Sequence, residues 1–181
     1  MEVKESFIKG LFEITPPIFK DERGFFFESF SKKVLESIGV KKEFVQDNQS
    51  FSIKGVIRGL HFQRPPYSQG KLVRIVKGKA LDVAVDLRRN SPTFGQYDSI
   101  VLDAEKNNMF YVPEGFAHGF AALEETILLY KCTNYYNKES ESGIKYNDPE
   151  LNIDWGVKNP IVSEKDLLLK HLSGLVEASE I

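Results

Sequence analysis

Between residues 44 and 136 the chain repeats one pattern: a short strand-type run, then a turn signal. The runs fall at 44–53, 56–63, 71–77, 80–87, 97–102, 109–113, 117–123 and 126–136. Lys77-Gly78, Arg89-Asn-Ser-Pro92, Glu105-Lys-Asn-Asn108 and Pro113-Glu-Gly115 punctuate them. LDVAVDL is the cleanest run: Leu81, Val83, Val85 and Leu87 share one face, opposite Asp82, Ala84 and Asp86. No helical period interrupts the series. Strands that follow one another this closely bury their apolar faces by antiparallel pairing. The pattern therefore predicts an all-β protein, a jelly roll or related β-barrel with short peripheral helices. Fourteen Phe, seven Tyr, thirteen Gly and eight Pro suit strands broken by turns.

The flanks are read in the same way. Residues 11–30 predict a hairpin with Asp21–Gly24 as its turn, and residues 31–39 a helix that Ser31 caps and Gly39 ends. Residues 163–179 predict an amphipathic tail helix. No repeat or linker divides the chain, so one domain over 1–181 is expected.

The net charge of −2 gives no basic field for nucleic acid. A single cysteine, Cys132, rules out an internal disulfide and fits a reducing compartment. No apolar run reaches the ~20 residues of a membrane span, and MEVKESF lacks the apolar core of a signal peptide. A soluble cytoplasmic protein is the expectation.

Chemistry concentrates in QDNQSFSIKGVIRGLHFQRPPYSQGK, residues 46–71. His61 stands there among Arg58, Lys71, amides and an acid. Histidine is the side chain most easily used as a proton shuttle near neutral pH, though a core histidine bonded to backbone has the same local pattern. Small β-barrels often hold a metal on two histidines one residue apart. Here that place is Gln63, which argues for proton transfer over metal chemistry. Buried cations near His61 would need an anionic partner, which a charged ligand could supply. His118 follows the Pro113–Gly115 turn, and a solvent-facing turn histidine fits equally well. Tyr130 shares a strand face with Leu128, Cys132, Asn134 and Tyr136, as a core tyrosine also would. Asp166 sits three residues after Ser163, and the local sequence favours a capping box over an acid that orients a histidine. Arg23 in the DERG turn is either solvated or a phosphate clamp.

Nine motifs in order then carry a resemblance over nearly the whole chain: DERGFFFESF, FVQDNQS, KGVIRGLHFQ, QGKLVR, DVAVDLR, SPTFG, VPEGFAHGF, YKCTNYYN and SEKD. Together they resemble the dTDP-4-dehydrorhamnose 3,5-epimerases. The resemblance implies a cupin jelly roll without metal or other cofactor. It also implies a homodimer that exchanges its N-terminal hairpins. His61 matches the base, Asp166 the acid paired with it, Tyr130 the proton donor on the opposite side of the sugar, and Lys71 the lysine near the ketone oxygen. Arg23, Glu28, Gln46, Asp47, Asn48, Arg58, His118, Glu141 and Lys165 match positions that contact the nucleotide sugar. Phe26 is the aromatic expected to stack on the thymine ring. The loop at LEETILL is one residue shorter than the family pattern.

The implied substrate is dTDP-4-dehydro-6-deoxy-D-glucose, whose ketone lies between the two carbons to be inverted. Proton removal beside the ketone gives an enolate, and a lysine is suited to its oxygen. Strict alternation would put Arg58 and His61 on opposite faces, so a bulge at Gly59 is expected to re-aim one of them.

Overall fold

The computed structural model describes residues 1–177, and the last two residues of the expected tail helix lie outside them. Two antiparallel sheets dominate. The first holds, in spatial order, β1 (Glu2–Glu5), β2 (Phe12–Thr15), β10 (Met109–Val112), β7 (Lys71–Lys77), β12 (Thr126–Cys132) and β5 (Gln46–Ser52). The second holds β13 (Glu141–Gly143), β6 (Ile57–Gln63), β11 (Phe116–Ala122), β8 (Lys79–Asp86) and β9 (Tyr97–Asp103). This is the expected cupin-like jelly roll. No helix among the described residues is long and apolar enough to cross a membrane.

Alternation along each strand builds three apolar clusters. Between the sheets lie Val73 and Ile75 of β7, Ala80 and Ala84 of β8, Phe110, Phe116, Phe120 and Leu128. Val83, Val85 and Leu87 face the other way, against Leu151, Trp155, Leu172 and Leu175 of the C-terminal segment. Ile14, Leu72, Met109 and Tyr111 pack on the outer side of the first sheet beneath Leu35 and Val40. Strand β8 is thus buried on both faces, and its period-2 pattern divides two cores rather than core from solvent.

Several expectations are corrected. The N-terminal hairpin is shorter than 11–30: only β3 (Phe19–Asp21) and β4 (Gly24–Phe26) pair, with Phe19 opposite Phe26. Residues 12–15 instead join the first sheet between β1 and β10. Pro16 and Pro17, which cannot donate to a ladder, separate the two. Helix α1 (Lys32–Ser37) starts after Ser31, whose side chain makes no cap bond. It does end at Gly39, as expected. Gly39 takes φ 86°, and its N–H donates to Glu36 C=O while Val40 N–H donates to Leu35 C=O, a Schellman pair. The tail is two helices, α2 (Glu164–Leu167) and α3 (Leu172–Glu177). Strand β12 stops at Cys132 instead of reaching Tyr136.

Candidate active site

The site is built where β6 breaks its own register. His61 pairs with His118 of β11 and Arg58 with Phe120, so three residue steps of β6 face two of β11. The bulge falls at Gly59. Its φ of +123° suits glycine, and a Cβ there would lie 2.5 Å from the Gly119 Cα. The extra residue lets Arg58 and His61 line the same cavity, as anticipated.

That cavity, of about 310 Å³, opens between the sheets. On one wall His61 Nε2 lies 2.7 Å from Asp166 Oδ1, and the Gly59 N–H donates to Asp166 Oδ2 at 3.3 Å. The carboxylate can only accept, so Nε2 is the nitrogen that donates to it, and Nδ1 is the one left to face a substrate. Burial pushes the Asp166 carboxyl up, but the His61 hydrogen bond and charge, Gly59 and Ser163 more than offset this and hold it below the usual range. Ser163 Oγ also accepts from Asp166 N–H. Asp166 therefore serves both readings: its N–H completes the cap made by Ser163, and its carboxylate holds His61.

The opposite wall belongs to the first sheet. Tyr130 of β12 faces in beside Lys71 of β7, whose Nζ is 6.0 Å from the ring centre. Burial, with nearby Cys132 and Glu141, pushes the Tyr130 phenol to about 12 against a smaller opposing effect of Arg58, so it stays protonated. Lys71 forms no ion pair among the described residues, and desolvation lowers its pKa against the opposing pull of Cys132, Asp82 and Glu141. His118 sits next to His61 and bonds Asp82 Oδ1 through Nε2 at 2.8 Å. Arg58 donates to Ser52 Oγ and to Phe51 C=O.

A chain of polar contacts extends this wall. Gln46 Nε2 donates to Asn48, and Gln46 Oε1 accepts from Tyr136 N–H. The Tyr136 hydroxyl donates to Glu141, which also pairs with Lys165 at 2.6 Å. Burial raises the Glu141 carboxyl, but Lys165 and Tyr136 hold it below its ordinary value.

The cavity brings together Arg58, His61, Lys71, His118, Tyr130, Lys165 and Asp166. Gln46, Asn48 and Glu141 stand in the adjoining contacts. Four positions lie elsewhere. Asp47 points to the outer face and pairs with Lys131 at 3.0 Å, because β5 alternates. Arg23 is turned to solvent and bonded to its neighbour Asp21, and Phe26 and Glu28 are exposed on the same projecting segment. Ser50, Phe120, Asp82 and Tyr136 were not anticipated as site residues. Ser50 continues the Gln46–Asn48 alternation and Asp82 stands out as an acid inside LDVAVDL, so both left a trace in the sequence.

Gln63 is no spare ligand. Its amide bonds Tyr67 C=O, Tyr135 C=O and Asn137 N–H, tying two loops together. Among the described residues no three His, Cys, Asp or Glu side chains form a group that could hold a metal ion. A larger groove of about 550 Å³ lies on the outer side near Lys41 and Glu114, but no histidine lines it and its Lys42–Glu114 ion pair is solvent-exposed. Chemistry, not size, marks the site.

Known proteins resemble this chain along nearly its whole length. The family model described as dTDP-4-dehydrorhamnose 3,5-epimerase matches residues 5–174. The enzyme of that name from Shigella flexneri is 52% identical over 169 residues, 92% of this chain and 93% of its own. The dTDP-6-deoxy-D-glucose-3,5-epimerase of Legionella pneumophila, solved with dTDP-4-keto-L-rhamnose, is 46% identical with a TM-score of 0.94, covering 99% of this chain and 96% of that one. A 3'-monoepimerase from Streptomyces bikiniensis, solved with dTDP-quinovose, is 30% identical with a TM-score of 0.91, covering 98% and 91%. The chain belongs to the dTDP-4-dehydrorhamnose 3,5-epimerase family.

Proposed function

We propose that this chain inverts C3 and C5 of dTDP-4-dehydro-6-deoxy-D-glucose to give dTDP-4-dehydro-L-rhamnose, with His61 as base and Tyr130 as acid. The observation that carries this reading is their placement. A histidine oriented by Asp166 stands on one sheet and a protonated phenol on the other, with one cavity between. His61 takes the proton next to the ketone, and Asp166 stabilises the imidazolium that forms. Negative charge moves to the ketone oxygen, where Lys71 supplies a fixed positive charge in a partly dry site. Tyr130 returns a proton from the opposite face, so the centre inverts. Each positioned acid or base is worth ~10²–10⁴ in rate. Arg58 and His118 hold the nucleotide sugar, with Lys165, Glu141 and the amides of Gln46 and Asn48 along the adjoining wall.

The same reading makes the protein a homodimer. Arg23, Phe26 and Glu28 are exposed on a segment that projects from the sheets, and Phe19, Phe25 and Phe26 are all more than 60% exposed. They serve the cavity of a second copy, where Arg23 grips the diphosphate and Phe26 stacks on thymine. A cytoplasmic setting fits the free, buried thiol of Cys132.

Proton NMR of the reaction in deuterated water tests the function. Deuterium enters at both carbons flanking the ketone, and His61→Ala loses this exchange while still binding dTDP. Exchange at one carbon alone would make the chain a monoepimerase.

A further inference from the structure

The mechanism above leaves the buried acid Asp82 unused. Asp82 projects from β8 into the space between the sheets, and its side chain is fully buried. Oδ1 bonds His118 Nε2, while Oδ2 is buried with no hydrogen-bond partner. A carboxylate half-satisfied in a protein interior costs free energy, and an amide of the same shape would bond His118 as well. Stability therefore gives no reason for an acid here. Across the same space Lys71 has the complementary shortfall, an ammonium without an ion pair among the described residues.

We propose that Asp82 is a positioning residue: through space, and through the histidine it holds, it is the fixed anion that keeps Lys71 charged where the enolate oxygen forms. The other groups around Lys71 cannot replace it. Tyr130 and Cys132 of β12 are neutral in their ordinary forms, and burial pushes both further from ionising. Glu141 of β13 is already committed to Lys165 and Tyr136. Arg58, His61 and His118 supply no negative charge, and Asp166 is committed to His61. Among the influences that oppose desolvation at Lys71, Asp82 is a carboxylate with a free oxygen.

The inference rests on Lys71 acting at the reacting oxygen, but its test does not need turnover. Lys71 acetylation by acetic anhydride is followed by mass spectrometry against pH in the wild type, Asp82→Asn and Asp82→Ser. Removing the anion frees more amine at a given pH, so Lys71 in the variants is labelled about threefold or more faster at pH 8. In parallel, the alkaline limb of kcat/KM moves to lower pH. Unchanged labelling and an unmoved limb, with activity lowered evenly at all pH values, would overturn the proposal and leave Asp82 a structural residue. If the role given to Lys71 is itself mistaken, Lys71→Gln turns over at the wild-type rate whatever the labelling shows.

Discussion

Gly59 decides where two functional side chains point. Without the bulge, Arg58 and His61 would face opposite ways. The dipeptide Arg58-Gly59 hinted at this, because an isolated glycine in a strand pattern marks a bulge or a close backbone approach. Here both occur: the His118 carbonyl and the Gly119 Cα leave no room for a side chain, and neither is a flexible group that could yield. Gly59→Ala should therefore destabilise the fold by ~2–4 kcal/mol in urea unfolding and misplace His61. A loss below ~0.5 kcal/mol would show that the backbone there can relax. Asp166 was harder to read. The Ser163–Asp166 spacing has a sufficient local explanation as a cap, and His61 lies 105 positions away in sequence. Nothing local reports a contact of that span.

Elements were legible where period 2 met turn residues, and obscure where tertiary bonds overrode the pattern. The eight central strands fall within a few residues of their expected bounds. The tail was expected as one helix because its apolar residues keep a helical spacing. Two distant hydrogen bonds divide it: Lys145 N–H donates to Lys170 C=O, and Asp148 takes the Leu172 N–H at 2.6 Å. Strands β1 and β13 carry too few apolar residues to announce themselves. In the proposed dimer the β3–β4 hairpin is the element whose position most affects the site, because its Arg23 reaches no residue of its own cavity. If hairpins are exchanged, an inactive Arg23→Ala chain mixed with an inactive His61→Ala chain should recover activity. Random pairing restores about a quarter of the wild-type rate, since half the dimers then hold one complete site. No recovery after unfolding and co-refolding would place Arg23 in the service of its own subunit.

In the proposed mechanism the whole molecule turns a jelly roll into a proton-transfer device by dividing the labour between its sheets. The five-stranded sheet carries His61, the proposed base, and Asp166 of α2 orients it. The six-stranded sheet carries Lys71 and Tyr130. The apolar cluster between the sheets continues into the cavity, so the same alternation that buries Leu128 turns Tyr130 and Cys132 inward. That alternation was readable from sequence. Which two faces meet was not, because it depends on strand order. The central claim is that the two walls act on opposite faces of the sugar. Tyr130→Phe, followed by NMR in deuterated water, tests it most directly. The prediction is that deuterium still enters beside the ketone, delivered and withdrawn by His61, while inverted product forms ~10²–10⁴ more slowly. Inversion at the wild-type rate, or exchange lost as fully as in His61→Ala, would contradict it.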